Sequence, residues 1–353
     1  MTSTATSEPE EKPRTRGGLA TLPLLMYGVL SILGGVFLYL VGTVLSVGRF
    51  IVPFRAPLEA AIRACVWYSC APILLGLVLA AIDLFVLLPG KRRASMISGD
   101  LGIPESARIT VVLTAYNDEE SIGAAVADFR AQPQVNRVIV VDNNSRDRTV
   151  EQALRAGAQV VIEGHPGYGR CVYRCFTEAL KYSPDLILLC EGDLTFRASD
   201  IPKFLAYLPH ADIVNGTRIV EQLRDPSTQL TTFMFYGNFF VGKLLECKHI
   251  GKGTLTDVGT TYKLLRPEVL QRLIPHLDPA VNLEFNAHFL DRALARRERL
   301  VECPITFHSR VGVSKGGNVN NRRALLVGLR MIAGIIFGWE WVSGGEPKPS
   351  VPD

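Results

Sequence analysis

Four polar clusters between positions 114 and 193 carry side chains suited to gripping a nucleotide and its phosphates. The first two are Thr114-Ala115-Tyr116-Asn117-Asp118-Glu119-Glu120 and Asp142-Asn143-Asn144-Ser145-Arg146-Asp147, each directly after an apolar run. A carboxylate beside amides and hydroxyls at such a place can accept from a base N–H or a ribose hydroxyl. It can equally cap a turn or a helix, as Asp118 and Asn144-Ser145 would. The third cluster, Glu163-Gly164-His165-Pro166-Gly167-Tyr168-Gly169-Arg170, opens a helical stretch. Glycines there let a phosphate approach backbone N–H groups, and Arg170 adds a forked donor. Its spacing is not the dinucleotide GxGxxG. The fourth is Glu191-Gly192-Asp193, where i and i+2 of an extended chain face one side, so the two acids can share a hard divalent ion with Gly192 leaving room for it.

These clusters must be positioned by an alternating framework. Apolar runs at 109–113, 138–141, 160–162, 186–189 and 213–214 read as buried strands, and 121–131, 148–156, 170–182 and 199–208 as helices between them. A sheet of this kind binds ligands at the carboxyl ends of its strands, where the clusters lie.

The flanks differ. Residues 1–18 have the composition of a disordered tail, and 21–47 run without a charge for longer than the ~20 residues that cross a bilayer. A second apolar stretch, 66–88, carries only Asp83 and ends at Lys91-Arg92-Arg93, which fits a cytosolic exit. The expected organisation is a transmembrane hairpin within 19–93, a linker at 94–106, a catalytic domain at 107–318, an amphipathic interfacial helix at 319–341 with Trp339 and Trp341 at the headgroups, and a disordered tail at 342–353. Asp83 is expected to pair with the basic cluster or reach the interface. The seven cysteines form no CxxC pair and read as reduced packing residues, and a net charge of +4 gives no case for nucleic acid.

Four later segments complete the pattern: Val214-Asn215-Gly216-Thr217-Arg218, Thr256-Asp257-Val258-Gly259-Thr260-Thr261-Tyr262, Asn282-Leu283-Glu284-Phe285 and Arg310-Val311-Gly312-Val313-Ser314-Lys315. In this order the motifs over roughly residues 108–316 resemble family 2 glycosyltransferases, most closely the branch of dolichol-phosphate mannose synthase and the polyprenyl-phosphate glycosyltransferases. Thr114, Asn143 and Glu191 depart from that branch's proline, second aspartate and first DxD acid, and the Arg310–Gly312 spacing is one residue short. The resemblance implies a GT-A fold, an α/β Rossmann-like sheet domain. It implies a donor site from Thr114, Tyr116, Asn117, Glu119, Asp142, Asn144, Gly167, Gly169, Arg170, Glu191 and Gly192, with Mg²⁺ or Mn²⁺ on Glu191 and Asp193. Catalytic roles would fall to Asp193, Arg218, Asp257, Glu284, Arg310 and Lys315.

The implied reaction passes a sugar from a UDP- or GDP-sugar to a polyprenyl or dolichyl phosphate at the cytosolic membrane face, inverting the anomeric centre. The protein would be a multi-pass membrane protein. A phosphate acceptor is already ionised and needs placement by Arg218, Arg310 and Lys315 rather than a general base. A rival with a hydroxyl acceptor on a glycan or glycolipid would need Asp257 or Glu284 as base. A non-catalytic nucleotide-sugar sensor is the third reading. Oligomeric state is not legible.

Overall fold

The computed structural model describes residues 22–48, 55–91, 107–312 and 320–344. The expected tail at 1–18, the linker at 94–106 and Lys315 lie outside the described residues. The chain divides into two compact units, Met1–Arg93 and Ala94–Asp353.

In the first unit α1 (Leu24–Gly48) packs against a helical run built from α2 (Arg55–Tyr68), α3 (Cys70–Ala81), a π-helical turn (Ile82–Leu87) and α4 (Leu88–Lys91). The backbones approach so closely that a Cβ on Gly28 would lie 2.7 Å from the Gly76 carbonyl, so neither position admits a larger residue cheaply. Spans Leu24–Gly48 and Ala56–Lys91, of 25 and 36 residues, are long and apolar enough to cross a membrane. The second begins well before position 66, because Arg55–Tyr68, with four alanines and two arginines, favours helix and extends the run. Asp83 is fully buried: its Oδ1 takes the Lys91 Nζ at 2.6 Å and its Oδ2 accepts from the Leu25 N–H at 2.6 Å. Lys91 Nζ also donates to the Leu22 carbonyl at 2.7 Å. The lone acid is thus satisfied by a cation and by one of the unpaired N–H groups at the start of α1.

The second unit holds the expected α/β Rossmann-like sheet domain. Its strands are β1 (Ile109–Ala115), β2 (Val135–Asp142), β3 (Gln159–Ile162), β4 (Leu186–Glu191), β5 (Ile213–Thr217), β6 (Lys263–Leu265) and β7 (Leu300–Pro304), in the order β3-β2-β1-β4-β6-β5-β7. All neighbours are parallel except β6, which runs antiparallel to both β4 and β5. Register sets Thr114 beside both Val141 and Glu191, so the first, second and fourth clusters emerge on one edge. The strand order reverses at β1, where open α/β sheets form a ligand crevice.

Helices α5 (Ile122–Arg130), α6 (Thr149–Arg155), α7 (Tyr168–Leu180) and α8 (Ile201–Tyr207) occupy the expected connections. Further helices are α9 (Thr232–Lys248), α10 (Pro267–Leu273), α11 (Phe285–Ala295), α12 (Asn321–Phe337) and α13 (Glu340–Ser343). Val111, Leu113, Val140, Leu188, Ile122, Phe129, Phe204 and Tyr262 form one buried core under the site. The Tyr262 hydroxyl, inside that core, donates to the Arg197 carbonyl at 2.9 Å.

The C-terminal helix differs from the expectation. It packs on α9 and α11, and Trp339 is 1% exposed rather than interfacial. The indole Nε1 donates to Asp291 Oδ2 at 2.6 Å, and the ring lies against Gly334, whose missing side chain makes the room. Asp291 also takes His249 Nε2 at 2.6 Å and Lys248 Nζ at 3.0 Å, which joins the end of α9, α11 and the C-terminal segment. Burial would raise the Asp291 pKa, but these partners hold it well below the usual carboxylate range. Trp341, at the end of the same segment, is exposed, as are Leu325, Leu326, Leu329 and Phe337 on α12. Residues 342–343, expected in a disordered tail, belong to α13.

Candidate active site

The strand ends open into a cleft of about 1170 Å³, larger than the ~300–1,000 Å³ of a pocket for one small ligand. Among the expected site residues Thr114, Tyr116, Asn144, Gly167, Glu191, Asp193, Arg218 and Arg310 line it. One end is polar, formed by the strand-end clusters. The other is apolar, with Phe233, Met234, Phe240 and Val241 of α9 facing Leu325, Val327, Leu329 and Met331 of α12.

Two backbone positions with positive φ, Asn117 at 52° and Asn144 at 64°, shape the polar rim, and asparagine tolerates that region better than most residues. Asn117 donates its N–H to Ser145 Oγ and accepts from the Arg146 N–H, both at 2.7 Å, so the first two clusters are sewn together. Glu119 accepts from Arg148 N at 3.1 Å and Nε at 3.2 Å. Asn117 and Glu119 therefore shape the rim and do not themselves line the cleft. Asp142 accepts from Ser145 N at 3.0 Å through Oδ2, while its Oδ1 is buried without a partner. An orphaned acceptor at the end of β2 is what a base N–H would satisfy.

The glycine-rich segment departs most from expectation. Gly167 has φ 139°, open only to glycine, and its N–H donates to Asn143 Oδ1 at 2.9 Å. The Tyr168 N–H donates to Asn282 Oδ1 at 2.7 Å. The expected phosphate cradle at the start of α7 is thus already engaged by side chains. Asn143 Nδ2 reaches the carbonyls of Glu163 and His165 at 3.2 and 2.8 Å, donor work that an aspartate could not do. A Cβ on Gly169 would lie 1.8 Å from the Val281 carbonyl, so this glycine serves helix packing rather than a phosphate. Gly192 is likewise filled: a Cβ there would meet Ile122 Cδ1 at 2.4 Å, so its missing side chain seats a core residue rather than making room for an ion. Arg170 does not line the cleft.

Glu191 and Asp193 do face one space with Asp118, and Arg310 sits among them. Its Nη2 is 2.9 Å from Asp118 Oδ1 and its Nη1 3.1 Å from Asp193 Oδ2. Asp193 Oδ1 accepts from Thr195 N at 3.0 Å and Thr195 Oγ1 at 2.6 Å. Glu191 Oε1 accepts from Thr261 Oγ1 at 2.6 Å. Burial and the neighbouring Asp193 charge raise the Glu191 pKa to about 7, against the opposing pull of Thr261 and Arg310.

Arg218 and Asp257 form a buried two-pronged pair, Nε to Oδ2 at 2.7 Å and Nη2 to Oδ1 at 2.8 Å. Asp257 also accepts from Thr260 Oγ1 at 2.7 Å and Gly259 N at 3.0 Å. Burial opposes its ionisation, but Arg218 and Thr260 hold its pKa down to about 2. A carboxylate so saturated is a poor proton acceptor, which removes Asp257 as a general base; it fixes Arg218 at the cleft wall. Glu284 is different: it is 1% exposed, neither oxygen has a hydrogen-bond partner, and burial raises its pKa. Arg330 Nε is 3.5 Å from its Oε1. Glu284 lies beside the lining residues Asn282 and Asn286 but does not itself line the cleft.

A buried network that sequence reasoning missed runs beneath these groups. Its hydrogen bonds begin at the Glu191 carboxylate and pass through the Thr261 hydroxyl to the Tyr168 hydroxyl, which Asn286 Nδ2 reaches at 3.0 Å. Lys263 Nζ donates to Asn286 Oδ1 at 3.1 Å and to the Thr260 carbonyl. Burial lowers the Lys263 pKa to about 7 despite the nearby Asp257. Asn286 in the first turn of α11 and Asn282 in the loop before it, two amides four positions apart, were the available signal.

A family model described as Glycosyl transferase family 2 matches residues 110–274. An uncharacterized glycosyltransferase of Mycobacterium tuberculosis (strain ATCC 25618 / H37Rv) is 42% identical over 111 residues, 31% of this chain and 48% of that protein. The chain thus spans about half the length of this curated relative. A dolichyl-phosphate hexose transferase of Haloferax volcanii is 28% identical over 210 residues, 59% of this chain and 86% of that one. Glucosyl-3-phosphoglycerate synthase from M. tuberculosis, solved with Mn²⁺, UDP and phosphoglyceric acid, superposes with a TM-score of 0.46 at 16% identity, over 65% of this chain and 78% of that one. The chain thus carries a glycosyl transferase family 2 domain, which spans the strand-end clusters and strands β1 to β6.

Proposed function

We propose that this glycosyltransferase moves a sugar from a nucleotide diphosphate to a polyprenyl phosphate at a membrane face, with inversion. The observation that carries the reading is the two-ended cleft: polar strand ends for the donor, continuous with an apolar trough between α9 and α12 for an isoprenoid tail. Arg218 and Arg323 line the same cleft and supply forked donors for phosphate oxygens. The similarity to a dolichyl-phosphate hexose transferase supports the acceptor class, and the two long apolar helices of the first unit support a membrane location.

In this mechanism Asp142 Oδ1 accepts from the base and the cleft arginines neutralise donor and acceptor phosphates. The acceptor oxygen is already anionic, so no residue needs to remove a proton. Glu191 and Asp193 offer hard oxygen donors at the cleft and fit Mg²⁺ or Mn²⁺. Such an ion would take up charge on the departing diphosphate.

A second reading, a hydroxyl acceptor, is favoured by one observation, the buried Glu284, whose oxygens accept no hydrogen bond and whose pKa burial raises, as a general base would need. Incubating the full-length protein with radiolabelled UDP- and GDP-sugars and polyprenyl phosphate separates the two. A chloroform-soluble, acid-labile product that Asp193→Asn fails to make is expected. Donor turnover with no lipid product sinks the lipid-phosphate reading.

A further inference from the structure

We propose that Arg310 and a divalent cation exclude one another at the strand-end carboxylates, making Arg310 a positioning residue that passes from Asp193 to phosphate when the ion and nucleotide enter together. The inference rests on the reading of Glu191 and Asp193 as ion ligands. Asp193 has little choice of ligand atom. Its Oδ1 is committed to Thr195 N at 3.0 Å and Thr195 Oγ1 at 2.6 Å, and its Oδ2 is the oxygen that Arg310 Nη1 holds at 3.1 Å. A small divalent ion binds oxygen at about 2.0–2.2 Å, so an ion on Oδ2 would stand no more than about 5 Å from that guanidinium nitrogen. Two cations that close, in a site where the Arg310 side chain is only 15% exposed, repel strongly.

Arg310 also has reason to leave. Its Nε is buried with no hydrogen-bond partner, so its seat among Asp118 and Asp193 does not satisfy it fully. A guanidinium suits the two-pronged geometry of a phosphate. The backbone around it is tied to the β4 end, His308 N donating to the Thr195 carbonyl at 2.9 Å and Val311 N to the Asp193 carbonyl at 3.3 Å. The exchange therefore requires rotation of one side chain about a fixed backbone.

Ion and nucleotide should then bind with positive coupling that Arg310 generates. The test is Mn²⁺ binding followed by electron paramagnetic resonance on the full-length protein, alone and with UDP or GDP, comparing wild type, Arg310→Gln and Arg310→Lys. Thermal unfolding checks that each variant is folded. Arg310→Gln should bind Mn²⁺ alone about tenfold more tightly than wild type, and nucleotide should improve Mn²⁺ affinity less in the variant. Arg310→Lys, which keeps the charge but not the fork, should fall between, and it carries the comparison if Arg310→Gln does not fold. Equal Mn²⁺ affinity in all three overturns the inference and leaves the ion reading standing. Mn²⁺ bound by none of them, with or without nucleotide, overturns both.

Discussion

The two ends of the cleft are built on opposite principles. At the polar end nearly every candidate group is already committed: Asp257 to Arg218, Asn143 to the glycine-rich segment, Glu119 to Arg148, Glu191 to Thr261. At the apolar end the side chains of α9 and α12 face each other, while Phe233, Phe240, Leu325 and Leu329 remain substantially exposed. A preorganised polar site spends no reorganisation when charge develops on the leaving group. An apolar surface kept in water gains by covering itself, here in the proposed reading with an isoprenoid chain. The two ends should therefore respond differently to substitution.

The largest effect is expected from breaking the Arg218–Asp257 pair. Arg218→Met leaves a buried carboxylate uncompensated and should destabilise the fold by about 3–5 kcal/mol, measured by thermal or denaturant unfolding. Little loss there would mean that the polar end is not held by this pair. At the apolar end, Phe240→Asp should cost about 1.5–3 kcal/mol of acceptor binding and raise the KM for a lipid acceptor at least about tenfold. Nucleotide affinity, measured by calorimetry, should not change. A variant that weakens both substrates equally would erase the distinction between the ends.

A pH dependence sharpens the comparison further. Burial and Asp193 raise the Glu191 pKa to about 7, so the carboxylate is protonated below that pH and charged above it. A proton and an ion compete for it, and Mn²⁺ affinity should climb up to about tenfold per pH unit toward pH 7 and then level off. Glu191→Gln should flatten this profile. The smallest effect concerns neither end: Trp339→Phe removes one bond to Asp291 and should lower stability by about 1 kcal/mol in an unfolding titration, since Lys248 and His249 still hold that carboxylate.

The strands that carry the first, second and fourth clusters were legible because each is an unbroken apolar run ending in polar residues. β6 was not, being three residues long with a lysine in it. Its strand character comes from pairing with β4 and β5 on either side, which no local pattern reveals. Glycine chemistry was ambiguous in the same way. Gly169 and Gly192 sit beside phosphate-like motifs, yet Val281 and Ile122 are what require them to lack a side chain. Trp339 was misplaced at the interface because an aromatic after an apolar helix looks the same whether its partner is a headgroup or a buried Asp291. The Tyr168–Thr261–Asn286 network joins residues more than 90 apart and was invisible to motif spacing.

The most direct test of a phosphate acceptor held by arginines is to offer one labelled donor to three acceptors: polyprenyl phosphate, the phosphate-free polyprenol and a short soluble phosphate monoester. Efficient transfer to polyprenyl phosphate alone, unaffected in its pH profile by Glu284→Gln, is the predicted result. Transfer to polyprenol that Glu284→Gln abolishes would contradict it.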